Sequence, residues 1–194
     1  MDFDRAIFLD RDGVILEDNG CALTELDLIP LLGIAEALGL LKAAGYALVL
    51  VTNQAVVARG LISEAQLNEL HTQLQSMLVT LGAPHLDAIY ACPHHPNATD
   101  PAYRQICECR KPRPGLLLSA AKEHDIDLSQ SFMIGDRFSD IVAGQSAGCK
   151  SILVTTGQHL APPIQSGEKA PLTTKADHVC PDLLSAAHWI INRQ

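Results

Sequence analysis

Two closely spaced pairs of metal ligands lie near the middle of the chain. Cys92 and a following histidine form the first pair, and Cys107 and Cys109 form the second. Thiolates and neutral imidazole suit Zn²⁺, and three cysteines with one histidine are a known structural zinc set. On spacing alone, either His94 or His95 completes the set. Unliganded thiols near the surface are the alternative.

A second set of polar side chains stands just after predicted buried strands. Its members are Asp10, Asp12, Thr52, Asn53, Gln54, Asp136 and Asp140. Since ligands bind outside the carboxyl ends of the strands in a parallel sheet, we expect these side chains to converge there, with Lys111 arriving from a loop. Carboxylates without a dedicated cage favour Mg²⁺ that also holds a substrate phosphate. Solvated turn residues are the alternative.

Short apolar runs alternate with helical patterns and would position both sets. The predicted strands are 6–10, 47–52, 86–92, 131–136 and 151–156. The predicted helices are 33–46, 64–81, 114–124, 140–148 and 182–190. This order predicts an α/β fold with a Rossmann-like, doubly wound parallel sheet, and residues 1–194 as a single domain. The stretch 157–176 is rich in Pro, Gly, Ser and Thr and is predicted to be a mobile loop.

Composition restricts the possible partners. The 194 residues carry a net charge of −8, which argues against binding to nucleic acid or to an anionic membrane. Charged residues occupy the N-terminus where a signal peptide would be apolar. We therefore expect a cytoplasmic protein with reduced thiols. We also expect a monomer.

Four motifs resemble those of the haloacid dehalogenase (HAD) superfamily of phosphohydrolases, in the same order. They are "DRDGV", "VTNQ", a lysine ahead of a helix, and "GDRFSD". Within that superfamily, "CPHHP" and "CRKP" resemble the D-glycero-D-manno-heptose 1,7-bisphosphate 7-phosphatases of heptose precursor synthesis, for lipopolysaccharide or S-layer glycan. The histidinol-phosphate phosphatases are similar and share the zinc loop. The resemblance implies a capless HAD-type phosphomonoester hydrolase with a zinc-binding loop inserted at 92–109.

The resemblance also implies residue roles. Asp10 would be the nucleophile that forms an aspartyl-phosphate, and Asp12 the general acid and base. The phosphoryl group would be held by Thr52 and Lys111. Mg²⁺ would bind Asp10, Asp136 and the backbone carbonyl of Asp12. The structural zinc ligands would be Cys92, His94, Cys107 and Cys109, and the substrate contacts Asp18, Asn19, Gly20, Asn53, Gln54, Arg110 and Arg137.

Several assignments have an open alternative. Asp140 would orient the metal ligands or cap a helix, and Arg137 would meet substrate or solvent. Arg110 would reach a remote phosphate of the substrate or lie at the surface. Ala55-Val56 and Cys21 depart from the Ser-Gly and Tyr frequent in the heptose phosphatases, which leaves the substrate open. Histidinol phosphate or another small sugar phosphate is the alternative substrate, and a phospho-receiver domain or an idle zinc scaffold the non-enzyme alternative.

Overall fold

The fold is organised around a parallel β-sheet. The computed structural model describes residues 4–158 and 175–193. Within them the strands are β1 (Ala6–Leu9), β2 (Ala47–Asn53), β3 (Ala88–Cys92), β4 (Phe132–Gly135), β5 (Lys150–Val154) and β6 (His178–Cys180). Their spatial order is β3-β2-β1-β4-β5-β6, and every neighbouring pair is parallel.

Helices connect these strands. They are α1 (Ile34–Ala43), α2 (Ala55–Ala58), α3 (Glu64–Thr80), α4 (Gly115–His124), α5 (Phe138–Ala147) and α6 (Leu183–Ile191). Ser63 caps α3 as its spacing from Gln66 predicts, since its Oγ accepts from Gln66 N at 3.2 Å while Gln66 Oε1 accepts from Ser63 N at 2.9 Å. Gly45 follows α1 with φ +85°, a conformation that suits glycine at a helix end.

Both faces of the sheet are covered. In β1, Ile7 and Leu9 face a core that includes buried residues of α1, α3 and α6. Ala6 and Phe8 face the opposite core, formed with α4 and α5. Alternate residues of one strand are thus buried on opposite sides, as in a doubly wound sheet. The predicted α/β class is confirmed.

The strand order places a topological switch point between β1 and β4. The chain moves outward from β1 through β2 to β3, and then returns to β4 on the other side of β1. Ligands of open α/β sheets bind at this crevice, beyond the carboxyl ends of the strands. Asp10 follows β1 and Asp136 follows β4, so both flank the crevice.

The structure adds elements that the sequence patterns do not predict. The edge strand β6 and the one-turn helix α2 are new, as are 3-10 turns at Glu25–Asp27 and Leu128–Gln130. Between β1 and α1 the described chain contains one such turn and no separate domain, as the predicted capless form requires. Most of the loop predicted over 157–176 lies outside the described residues. None of the helices in the described ranges has the length and apolarity of a membrane span.

Candidate active site

Three buried carboxylates converge at the switch point. Asp10, Asp136 and Asp140 each place an oxygen within 4.8 Å of the others. Asp136 and Asp140 are fully buried, and Asp10 is 7% exposed. Buried like charges repel strongly unless a cation compensates them.

Lys111 supplies one compensating charge. Its Nζ lies 3.0 Å from Asp10 Oδ1 and 2.7 Å from Asp140 Oδ1, and it also donates to the carbonyl of Val51 at 2.8 Å. Burial lowers the pKa of Lys111, but Asp10 and Asp140 outweigh burial, so this pKa is raised overall. The lysine is therefore a fixed cation in the crevice.

The acids remain under-compensated. Burial, opposed by Lys111 and assisted by Asp140 and Asp12, raises the pKa of Asp10 to about 6. Burial, then Asp140 and Asp10, raises the pKa of Asp136 to about 7. Asp136 Oδ1 is buried without a hydrogen-bond partner among the described residues. These hard oxygen donors fit a further cation of the Mg²⁺ kind.

The loop after β5 fixes Asp136. The backbone N–H of Gln158 donates to Asp136 Oδ2 at 2.6 Å, so the other oxygen is left for a ligand. Gly13 adopts φ +82°, and a Cβ there would lie 2.5 Å from the same Oδ2. The backbone of the first motif therefore approaches Asp136 more closely than a side chain would permit.

Asp140 combines the two alternatives left open for it. Its Oδ2 accepts from the backbone N–H of Arg137 at 3.0 Å and caps α5, while Oδ1 pairs with Lys111. A Cβ at Gly135 would overlap the Asp140 side chain, so glycine is required at the end of β4. The cap thus also holds Asp140 beside the other acids.

The residues after β2 organise the opposite wall. Thr52 is buried, and its Oγ1 accepts from Gln54 Nε2 at 2.9 Å. Asn53 Nδ2 donates to the carbonyl of Lys111, and Asn53 Oδ1 accepts from the N–H of Lys111, both at 3.0 Å. In this structure the Asn53 amide therefore fixes the backbone of Lys111, and its predicted substrate contact stays a prediction.

The crevice opens into a pocket of about 410 Å³. Its lining includes every residue predicted for catalysis, and also Asp18, Gly20, Asn53, Gln54, Arg110 and Arg137. Asn19 is exposed and absent from the lining, with Nδ2 donating to Glu17 Oε2 at 3.3 Å. The Gly20 amide donates to Asp18 Oδ1 at 3.1 Å, so its predicted contact with a sugar hydroxyl is not available in this conformation.

Arg137 meets a carboxylate at the pocket wall. Its Nη2 lies 2.7 Å from Asp18 Oδ2, which joins the loop after β1 to the start of α5. Arg137 is thus ion-paired at the pocket wall while its side chain stays 42% exposed, and its predicted substrate contact stays a prediction.

The zinc loop, residues 92–109, gathers its four predicted ligands. The Sγ atoms of Cys92, Cys107 and Cys109 lie 3.0–3.5 Å apart, and His94 Nδ1 is 3.3 Å from Cys109 Sγ. Disulfide sulfurs would be about 2.05 Å apart, whereas ligands of a tetrahedral zinc with 2.3 Å bonds are about 3.8 Å apart. Hydrogen bonding with the neighbouring thiols, chiefly with that of Cys92, lowers the pKa of Cys109 to about 5. The donor set fits Zn²⁺ and leaves no open position.

The sequence patterns do not predict two contributors to the crevice. Arg11, inside the first motif, is buried and bonds Asp12, and Gln158 acts through its backbone. Arg59 and His95 also line the pocket near Arg110. A basic residue inside an acidic motif is the single clue that could have drawn attention to Arg11.

The fold and the acidic crevice define a HAD-type phosphatase. The HAD-hydrolase-like family model matches residues 108–186. The crystal structure of the D,D-heptose 1,7-bisphosphate phosphatase from B. bronchiseptica, complexed with magnesium and phosphate, is 34% identical with a TM-score of 0.80, and the match covers 98% of this chain and 99% of that one.

Sequence relatives give a narrower assignment. A D-glycero-beta-D-manno-heptose-1,7-bisphosphate 7-phosphatase from Photorhabdus laumondii is 44% identical, over 96% of this chain and 89% of its own length. The enzyme of that name from Escherichia coli K12 is 41% identical, over 89% and 90%. The chain belongs to the family of D-glycero-beta-D-manno-heptose-1,7-bisphosphate 7-phosphatases, within the HAD-like hydrolases.

Proposed function

We propose that this protein removes the 7-phosphate of D-glycero-D-manno-heptose 1,7-bisphosphate in an Mg²⁺-dependent reaction. The observation that carries the proposal is the convergence of Asp10, Asp136 and Lys111 at the switch point, with Asp12 beside them in the same pocket. A nucleophile, a cation site and a fixed lysine meet where a phosphate ester can enter.

The reaction divides into two displacements. An Asp10 oxygen attacks phosphorus while the bond from phosphorus to the sugar oxygen breaks, and Asp12 gives a proton to that oxygen. Water then attacks phosphorus, Asp12 takes a proton from it, and the bond to Asp10 breaks to release phosphate. Lys111 and the Thr52 hydroxyl hold the phosphoryl oxygens as their charge changes.

Mg²⁺ would be held by Asp10, Asp136 and the backbone carbonyl of Asp12. When bound, it offsets the repulsion between the carboxylate nucleophile and the dianionic ester. The unpartnered Asp136 Oδ1 supports this assignment. Gln158 and Gly13 keep the Asp136 carboxylate in place for it.

Stabilisation of the protein by Mg²⁺ should depend on pH. In the metal-free protein the folded-state pKa values of Asp10 and Asp136 are raised to about 6 and about 7, so these groups bind protons more tightly when folded. Their contribution to metal-free stability is therefore lost as pH rises from about 4 to about 7. Mg²⁺ must displace those protons, so its binding strengthens over the same range.

The measurement is the shift in melting temperature caused by saturating Mg²⁺ at pH 5 and at pH 8. We expect a clear rise at pH 8 and a much smaller one at pH 5. In Asp136→Asn the rise at pH 8 should shrink strongly. An equal shift at the two pH values would contradict the assignment of these acids to the metal.

One part of the pocket wall carries basic residues, which supports a bisphosphate substrate. Arg59, His95 and Arg110 all line it. Burial, then the charge of Arg110, then that of Arg59, lowers the pKa of His95, so the two cations lie close to that ring. Arg110 Nη1 donates to the carbonyl of His94 at 3.1 Å, and its Nε is buried without a partner among the described residues. A second phosphate would compensate this cluster.

Replacement of Arg110 tests the substrate. Loss of a charge-assisted contact to the remote phosphate should lower kcat/KM of Arg110→Ala on the heptose bisphosphate by about ten- to a hundredfold. An aryl phosphate has no second phosphate for Arg110 to bind, so the loss of kcat/KM on that ester should be at least tenfold smaller. Arg113→Ala is the matched control, because Arg113 pairs with Glu108 outside the pocket lining.

Equal losses on the two esters would assign Arg110 to the chemistry or the zinc loop. A steady-state comparison of the bisphosphate, histidinol phosphate and other small sugar phosphates identifies the substrate. Histidinol phosphate as the best substrate would replace the heptose assignment, and no turnover of any ester would favour a phospho-receiver or an idle scaffold.

The zinc loop would act as a structural support. With four protein ligands the ion has no open position for substrate, and Arg110 and Lys111 directly follow the last ligand. We also propose a cytoplasmic location, which would keep the ligand thiols reduced. We further propose that residues 1–194 form a single domain, and the monomeric state stays a prediction.

A further inference from the structure

Arg11 occupies an unusual position for a charged side chain. It lies between the two acids of the first motif, and it is 1% exposed. Its Nε donates to Asp12 Oδ1 and its Nη2 to Asp12 Oδ2, each at 3.0 Å. This two-point fork is the strongest geometry available for a carboxylate partner.

Gln54 closes a ring with this pair. Arg11 Nη2 also donates to Gln54 Oε1 at 2.9 Å, and Gln54 Nε2 donates to Asp12 Oδ2 at 3.1 Å. Gln54 Nε2 lies 2.9 Å from Thr52 Oγ1 as well, which ties the ring to the end of β2. Arg11, Asp12 and Gln54 thus share one hydrogen-bonded network, which extends to Thr52.

The two oxygens of Asp12 are held unequally. Oδ2 accepts from both Arg11 and Gln54, whereas Oδ1 accepts from Arg11 alone. A carboxylate oxygen has two lone pairs, so Oδ1 keeps capacity for a further proton or donor while Oδ2 is filled. The Asp12 side chain is 29% exposed, so it is accessible from the pocket.

Arg11 has no competing anion within the described residues. Asp12 is the carboxylate that pairs with it, and Arg11 Nη1 is buried without a partner there. His71 is a nearby titratable side chain. Burial, and then the charge of Arg11, lower the pKa of His71 to about 4, so its ring is neutral near pH 7. Arg11 is buried and Asp12 is partly exposed, so loss of Asp12 would leave a buried guanidinium uncompensated.

We propose that Arg11 and Gln54 are positioning residues that anchor Asp12 through Oδ2 and leave Oδ1 to exchange the proton with the leaving-group oxygen. The inference rests on the proposed function, in which Asp12 is the acid and base. It gives Arg11 and Gln54 an effect on the reaction that is transmitted through Asp12.

The test compares leaving groups. Formation of the aspartyl-phosphate from an alkyl ester such as the heptose bisphosphate needs proton donation, whereas p-nitrophenolate leaves without it. In Arg11→Met, kcat/KM on the heptose bisphosphate should fall about a hundredfold. The loss of kcat/KM on p-nitrophenyl phosphate should be at least tenfold smaller than that. Asp12→Asn should show the same selectivity between the two esters. In the double variant, Arg11→Met should lower kcat/KM by less than about threefold further, because the effects of residues that act as a unit are not additive.

Gln54→Met and Arg11→Lys keep the test decisive if Arg11→Met does not fold. Each should show the same leaving-group selectivity with a smaller loss, because each removes part of the anchor. Equal losses on the two esters, no loss on either, or full additivity with Asp12→Asn would overturn the inference. Absence of turnover of both esters by the unchanged protein would instead overturn the proposed function together with it.

Discussion

We expect Asp10→Asn to abolish phosphate release from every ester, a loss of about 10⁵-fold or more. The amide cannot act as the nucleophile, and it is a poor ligand for the cation that Asp10 would share with Asp136. The measurement is phosphate release in the presence of Mg²⁺, with intact-mass analysis of quenched reactions. The unchanged protein should carry a transient phosphoryl adduct and the variant none.

The variant should remain folded. Asparagine has nearly the same shape, and Lys111 keeps its ion pair with Asp140. Removal of a desolvated charge should leave the melting temperature of the metal-free protein equal or higher near pH 7. Asp4→Asn is the matched control, because Asp4 is exposed outside the pocket. Turnover within tenfold of the unchanged protein in Asp10→Asn would exclude a covalent aspartyl-phosphate.

The second large effect concerns zinc. The protein as purified should hold about one zinc per chain by metal analysis, and Cys109→Ala should hold almost none, because three ligands remain. The backbone directly after Cys109 positions Arg110 and Lys111, so activity should fall about 10²-fold or more. Melting temperature should also fall, since binding of a structural metal contributes to folding free energy.

Cys180→Ala is the matched control. Cys180 is a buried cysteine of β6 outside the ligand cluster, so its replacement should leave the zinc content unchanged. Brief EDTA treatment followed by Mg²⁺ alone should restore activity while zinc stays bound. A zinc-free active protein, expressed with adequate zinc, would contradict the structural role of the loop.

The main elements of the fold could be predicted because they carry strong periodic signals. β1, β2 and β4 are buried runs with an acid or hydroxyl at the end, and α3 begins at a capping box. β6 could not be predicted, because a strand of three residues that begins with a histidine gives no apolar run. Its place depends on the neighbouring strand, where Val179 pairs with Leu153. The four-residue helix α2 is likewise too short for a helical period.

The residues of the candidate site could likewise be predicted only in part. Side chains directly after strands are predictable, because the sheet brings the ends of its strands together. Asn53 shows the limit, since its two bonds to the Lys111 backbone join residues 58 apart in sequence. Arg11 and Gln158 escape prediction for a related reason, because Arg11 is placed by its ion pair with Asp12 and Gln158 acts through its backbone N–H.

Removal of the 7-phosphate can be tested by phosphorus NMR of the reaction with D-glycero-D-manno-heptose 1,7-bisphosphate and Mg²⁺. We expect inorganic phosphate and heptose 1-phosphate in equal amounts, with the C7 phosphate signal lost and the C1 signal kept. Arg110→Ala should give the same products more slowly. Release of the C1 phosphate, or an unchanged spectrum alongside rapid hydrolysis of histidinol phosphate, would contradict the proposed removal of the 7-phosphate.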